Sequence, residues 1–428
     1  MKVLKTSSPA DAPAIAKLKR RFTPAAGVES TVADILSEVR QHGDAALQAM
    51  ALKYDRVDLG QVGLRVCPEE ISAARARVAP DVLHALTVAH ANVSEFARRS
   101  LRQDWQMQNA QGAMVGEIFR PFQRVGLYVP GGSAPLVSSV LMTASLAQTA
   151  GCEEIVVTTP CGQDGRINAD MLVALHLAGA TEIYRLGGAQ AIGALAYGTQ
   201  TIRPVEKIFG PGNKYVVEAK RQVFGTVSID LLPGPSEIMV LCDDSANAAY
   251  VAADLLAQAE HGHDGEIILV TTSQRIVNEV QVEISRQLTT LPRSELISEI
   301  LEQGAWIVLA DTLTEAVQLC NEYAPEHLSL VVAEEASVMA GIRTAGAIFL
   351  GNYSPVAAGD FVAGPSHTLP TGGAGKSFPG LTVDQFQRRT SIVKLDRAAL
   401  EKTAPLVEKF GEMEGLQAHG RSATLRLS

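Results

Sequence analysis

The chain has 428 residues, 46% of them hydrophobic and 19% charged, and a formal net charge of −9. At ~150 residues per domain this length predicts two to four domains with real cores. The acidic balance argues against nucleic acid or an anionic membrane as main partner. Met1–Thr6 lacks the apolar region of a signal peptide, and no apolar run approaches the ~20 residues of a membrane span. Five cysteines (Cys67, Cys152, Cys161, Cys242, Cys320) are scattered without a CxxC pair, so reduced thiols in a cytoplasmic protein are expected.

Residues 1–24 are mixed polar, with Lys17, Lys19, Arg20 and Arg21 reading as a solvated helix end. Val32–Tyr54 and Pro68–Gln108 carry the apolar spacing of helices. After Gly126 short β-rich runs begin: Glu154–Thr158, Glu182–Leu186, Lys207–Phe209, Ile238–Leu241, Glu266–Val270, Ala305–Leu309, Leu328–Val332 and Ala347–Leu350. Helical patterns such as Met171–Ala178 and Asn213–Phe224 lie between many of them. This alternation predicts parallel sheets covered on both faces, and it runs too long for one unit, so two α/β domains are expected. From about Leu381 the chain reads as a helical, charged tail.

No GxGxxG follows a strand, but three turns stand in its place: Tyr128-Val129-Pro130-Gly131-Gly132, Gly187-Gly188-Ala189-Gln190 and Gly210-Pro211-Gly212-Asn213. Each follows a β-rich run and offers backbone N–H groups at a helix start to a phosphate. Singly, each also reads as an ordinary tight turn. Together, at the strand ends of one α/β unit, they point to a nucleotide.

Val251–Gly262 has the composition of a helix with a glycine stop, and Asp254, Gln258 and His261 fall on one polar stripe. Gln258 and His261 are spaced to grip one ligand, or to form a polar end facing water. Pro325 ends the helical pattern Leu313–Tyr323 and sets Glu326 and His327 on the loop entering a strand, as a proton-transfer pair or a surface turn. Asp360 lies in a long glycine- and proline-rich stretch up to Gly380, and irregular stretches of that length are disproportionately functional. With His419 in the closing Glu414–Arg421 segment, Gln258, His261 and Asp360 make an N/O donor set suited to zinc, although their separation leaves the site open. His263 is a competing ligand. His42, His84, His90 and His176 are most simply surface or core residues.

The chain resembles the histidinol dehydrogenase family from about Thr31 to its end. The matching motifs are VGLYVPGG (125–132), LGGAQAI (186–192), FGPGNKYV (209–216), PGPSE (233–237), DLLAQAEH (254–261), APEHL (324–328), GD-x-VAGP-x-H-x-LPTGG (359–373) and EGL-x-AH-x-R (414–421). The resemblance implies zinc held by Gln258, His261, Asp360 and His419, and proton transfer by Glu326 and His327. It implies substrate contacts at Ser236, Gln258, His261, Glu326, His327, Asp360, Glu414 and His419, and NAD contacts at Tyr128, Gln190 and Asn213. It further implies a homodimer in which the tail completes the partner's site.

The fold class it implies is α/β, two incomplete Rossmann-like parallel-sheet domains with a helical N-terminal segment and a small helical C-terminal tail domain. The expected division is 1–24, then 25–128 with 237–379 as an interrupted domain, 129–236 inserted within it, and 380–428 as tail. The implied reaction oxidises L-histidinol through L-histidinal to L-histidine with two NAD. The rival is a same-fold zinc and NAD dehydrogenase acting on another small polar alcohol, such as a sulfonated diol. Phe361, Ser366 and Gly375-Lys376 depart from the usual family residues, and none is an implied ligand, base or substrate contact.

Overall fold

The computed structural model describes residues 1–18, 27–131, 135–262 and 265–428. Lys19, Arg20 and Arg21 of the basic cluster, Gly132 and His263 lie outside the described residues. Two parallel sheets carry the architecture. In the smaller, Glu182–Arg185, Glu154–Thr159, Arg124–Tyr128, Lys207–Phe209 and Ser228–Ile229 lie side by side in that order, all pairs parallel. In chain order this is 3-2-1-4-5, a doubly wound sheet lacking its sixth strand. The larger runs Lys2–Lys5, Ala305–Leu309, Glu266–Thr271, Glu237–Cys242, His327–Val331 and Ala347–Leu350, again parallel throughout. Counted from Glu237–Cys242 its strands repeat the same order, with Lys2–Lys5 added beyond the third.

Every residue of Glu237–Cys242 and His327–Val331 is buried. Parallel strands covered on both faces must be, which is why these runs are near-continuously apolar. Val32, Ile35, Leu36 and Val39 of helix Glu29–His42 share a core with Val156, Ile192, Leu195 and Ile208, on one face of the five-stranded sheet. Helix Pro80–Ser100 enters the core of the other face beside Val125, Leu127 and Val140. The helical lead-in expected with the larger sheet therefore packs on the smaller one, and Arg124–Tyr128 is that sheet's middle strand. Helical spacing marks an apolar face without saying which sheet it covers.

A third, antiparallel sheet joins Trp105–Gln108, Met114–Pro121 and Gln387–Lys394. The helix expected to reach Gln108 ends at Ser100, and the tail opens with a strand before its helices Arg397–Met413 and Gln417–Thr424. Gln387-Arg388-Arg389-Thr390 has no apolar alternation. Pairing with a distant strand makes it extended. No helix among the described residues is long and apolar enough to cross a membrane.

Candidate active site

The site forms at the switch point of the larger sheet, where its first and fourth strands begin. Doubly wound sheets usually bind ligands at their carboxyl edge; here the chemistry-bearing side chains gather at the amino edge. Helix Leu313–Tyr323 ends at Ala324, which adopts a left-handed φ of 57°, and Pro325 cannot continue the helix. Glu326 and His327 follow, 6% and 3% exposed, a buried pair and not a surface turn. Glu326 Oε2 accepts from Ser236 Oγ (2.8 Å) and the Glu237 amide (2.9 Å), and Ser236 Oγ accepts from Gln258 Nε2 (3.1 Å). Burial pushes the Glu326 carboxyl up, against the pull of His327 and these donors.

His327 Nδ1 lies 3.1 Å from the Glu237 carbonyl, which only accepts, so Nδ1 carries a proton. Nε2 is buried without a well-aligned hydrogen-bond partner, 3.3 Å from Asp360 Oδ1. Burial would lower this imidazole, but Glu326, Asp360 and the Glu237 carbonyl prevail and push it up to about 9. Burial likewise opposes ionisation of Asp360, while His327, His367 and His261 hold its carboxyl below the usual range.

Gln258 is buried in the last turn of helix Ala248–Ala259. His261, expected on that helix face, lies in the turn beyond it, its amide donating to the Gln258 carbonyl (3.1 Å). It is exposed, and surrounding protein lowers its pKa. Asp360 comes from helix Val356–Phe361, inside the stretch expected to be irregular. Burial pushes the neighbouring Asp254 up to about 6, with the charge of Asp360 adding to the rise.

Two participants carried no assigned role in the sequence. His367, quoted only within a motif, places Nδ1 2.8 Å from the Asp360 carbonyl and Nε2 3.2 Å from Ser139 Oγ, on helix Val137–Ala150 of the other sheet. Glu237 offers its amide to Glu326 and its carboxylate to the amides of Glu326 and Gly372 (3.3 Å each). His367 was legible from its spacing after Asp360, whereas Glu237 was hidden in a strand. Ser366, a departure, donates to the Met142 carbonyl (2.9 Å) and seams the same loop to the same helix. Phe361 is exposed, and Lys376 ends the short 3₁₀ turn Ala374–Lys376.

The three glycine turns meet at the carboxyl edge of the five-stranded sheet. Tyr128 ends its middle strand and accepts from the Gly188 amide (3.2 Å). Gln190 is buried in the first turn of helix Gly188–Tyr197, and Asn213 caps helix Lys214–Val223 by accepting from the Tyr215 and Val216 amides. Gly210 has φ +111°, and a Cβ there would stand 2.1 Å from the Tyr128 carbonyl oxygen, so only glycine fits. Its amide donates to Asp230 (2.8 Å) and its carbonyl accepts from Lys220 Nζ (2.9 Å), two residues that form a fully buried ion pair.

Ser236, Gln258, Glu326, His327 and Asp360 are thus together, with the exposed His261 within electrostatic reach of Asp360 and His327. Glu414 and His419 are not among them: both are exposed on the tail, beside a groove lined by Leu406, Phe410 and Leu416. Among the described residues no group of three or more His, Cys, Asp or Glu side chains is placed to hold a metal ion.

A family model described as histidinol dehydrogenase matches residues 18–427. Histidinol dehydrogenase of Geobacillus kaustophilus is 46% identical over 396 residues, 92% of this chain and 93% of that one. The Moorella thermoacetica enzyme of the same name is 46% identical over 400 residues, 94% of each. The crystal structure of histidinol dehydrogenase from Elizabethkingia anophelis superposes with a TM-score of 0.94 at 37% identity, covering 100% of this chain and 98% of that one. An acetylating aldehyde dehydrogenase from Geobacillus thermoglucosidasius, 16% identical with a TM-score of 0.51 over 90% of this chain and 94% of its own, shares the fold alone.

Proposed function

The chain belongs to the histidinol dehydrogenase family, oxidoreductases acting on an alcohol and an aldehyde, and from that premise we propose that it oxidises L-histidinol through L-histidinal to L-histidine with two NAD, the closing steps of histidine biosynthesis. The observation that carries this reading is the buried Glu326–His327 pair facing Asp360 at the amino edge of the larger sheet. With Nδ1 committed to the Glu237 carbonyl, Nε2 is the nitrogen that exchanges a proton: the resting ring, pushed up to about 9, carries one there, and the neutral ring left when it departs takes the hydroxyl proton as hydride leaves for NAD. Glu326, oriented by Ser236 and the Glu237 amide, then takes a proton from water as that water adds to the aldehyde. A second hydride transfer leaves the carboxylate. General bases of this kind contribute ~10²–10⁴ in rate.

Tyr128, Gln190 and Asn213, on the edge that carries the glycine turns, are the residues we assign to NAD. Gln258, His261 and Asp360 supply N and O donors that suit Zn²⁺, and His327 Nε2, 3.3 Å from Asp360, keeps their surroundings polar. His419 of the partner subunit is assigned as the fourth ligand and Glu414 of the partner subunit as the substrate's ammonium contact. Bound zinc would supply a positive charge and a template for the substrate's imidazole and amino nitrogens. The exposed Leu406, Phe410, Met413 and Leu416 of the tail support a second copy covering it. Five free thiols fit a reducing cytoplasm.

The test is NADH formed per L-histidinol consumed, with and without chelation and zinc readdition. About two NADH per substrate, lost on chelation and restored by zinc, is the outcome expected from two sequential hydride transfers. One NADH would remove Glu326 from its role, and turnover of a different alcohol with none of histidinol would overturn the substrate.

A further inference from the structure

Asp55 has no place in the chemistry above. It closes the π-helical turn Ala51–Asp55 and is followed by Arg56 at a left-handed φ of 58°. Both features are uncommon and cluster at functional sites. Its carboxylate is half-buried, yet it makes no hydrogen bond or ion pair among the described residues. Burial pushes its pKa up, and no protein group among the described residues opposes that rise.

Position gives it a purpose. Its charge reaches two groups, the Tyr128 phenol and the Cys161 thiol. Tyr128 ends the first strand of the five-stranded sheet, and Cys161 stands two residues past Thr159, the end of the second. Ala51, Val57 and Leu59, on either side of Asp55, pack against Cys161 and fix the turn to that loop. Asp55 thus lies at the carboxyl ends of strands one and two. In dinucleotide-binding sheets this is where an acidic residue, normally delivered by the end of strand two, accepts hydrogen bonds from the adenosine ribose hydroxyls. Here strand two runs out into Thr159-Pro160-Cys161, without an acid. The next one, Asp164, accepts from the Arg166 amide in its own exposed turn (3.0 Å).

We propose that Asp55, delivered by the helical lead-in, is the ribose-binding acid of this sheet and selects NAD over NADP. A 2′-phosphate would remove a donor hydroxyl and set its own negative charge against the carboxylate. The lead-in would then cover this sheet because it carries part of the nucleotide site. This inference rests on the NAD reading above.

The experiment compares zinc-loaded full-length wild type, Asp55→Asn and Asp55→Glu. The readouts are initial rates with NAD and NADP at saturating L-histidinol, NADH binding by fluorescence titration, and melting temperature. Losing charge-assisted bonds to the ribose should lower kcat/KM for NAD about tenfold to hundredfold in Asp55→Asn, chiefly through KM. NADH binding should weaken in parallel and the NADP/NAD ratio should rise. Melting should hold or rise, since an unpartnered carboxylate has gone. Asp55→Glu should retain part of the preference, and it carries the comparison if Asp55→Asn does not fold. A folded Asp55→Asn with NADH affinity and cofactor ratio within about twofold of wild type (under about 0.4 kcal/mol) overturns the proposal, as does a loss of kcat alone. Wild type that neither binds NADH nor reduces NAD refutes the nucleotide reading itself, a result separate from an unaffected Asp55→Asn.

Discussion

His327 and Asp360 face one another at 3.3 Å, ring Nε2 to carboxylate oxygen, one from the first residue of a buried strand and the other from the end of helix Val356–Phe361. The Glu237 carbonyl holds the other ring nitrogen, so the ring cannot turn without breaking that bond. Glu326, beside it, has its own anchors in Ser236 and the Glu237 amide. Two adjacent titratable side chains are thereby fixed in different surroundings, which allows them different tasks.

Glu326→Gln preserves shape and an acceptor for Ser236 while removing the base proposed for the aldehyde step. Oxidation of L-histidinal should fall by ~10²–10⁴, and the alcohol step, assayed separately, should fall far less. Equal losses in both half-reactions would end the division of labour.

His367 ties Asp360 to Ser139 across the two sheets. His367→Phe should lower kcat/KM for histidinol about tenfold or more, since a misplaced Asp360 affects everything beside it. Ser139→Ala removes one neutral hydrogen bond and should cost only a few-fold. If the two variants were indistinguishable in steady-state rates, the bond to the Asp360 carbonyl would have no positioning role.

The buried Lys220–Asp230 pair holds both ends of the Gly210 peptide. Removing one partner strands the other charge, so Lys220→Met or Asp230→Asn should destabilise by about 3–5 kcal/mol in denaturant titrations. Lys220→Met combined with Asp230→Leu should recover much of that loss. The KM for NAD should stay raised, because Gly210 is still released. A double variant with wild-type KM would detach this pair from the nucleotide turn.

At the opposite edge of that sheet, Arg124 meets both Glu182 oxygens at 2.9 Å, and the Tyr184 hydroxyl donates to the same carboxylate (2.6 Å). These bonds hold the Glu182 carboxyl down to about 2, from an ordinary value of 4.5. A carboxyl depressed on folding stabilises the protein above its unfolded value and stops doing so as pH falls through its folded one. Up to about 3 kcal/mol should therefore be lost between pH 5 and 2. Urea midpoints measured across that range should fall steeply in wild type and less in Arg124→Met. Parallel curves would count against Glu182.

If the tail completes a partner's site, two inactive variants should rescue each other. His261→Ala and His419→Ala, unfolded and refolded together in equal amounts, form half mixed dimers, each with one intact site. About a quarter of wild-type activity should return, as the two-fold symmetry of a dimer requires. No recovery in confirmed mixed dimers would place His419 in the site of its own chain.

What the sequence by itself determined is local. All eight strands expected after Gly126 appear within one residue of their expected ends, because each is an apolar run bounded by breakers. The Glu326-His327 step after Pro325 and the helix around Gln258 were legible for the same reason. The strands missed, Lys2–Lys5, Trp105–Gln108, Met114–Pro121, Ser228–Ile229 and Gln387–Lys394, include several that are polar or short and extended only because a distant strand pairs with them. Only the tertiary structure decided that Glu326, His327 and Asp360 gather at the amino edge of the larger sheet, that the helical lead-in covers the smaller sheet, and that His367 and Asp55 have neighbours worth testing. Periodicity records which face of an element seeks burial. Which surface buries it is settled by contacts between residues hundreds of positions apart, and no local pattern encodes them.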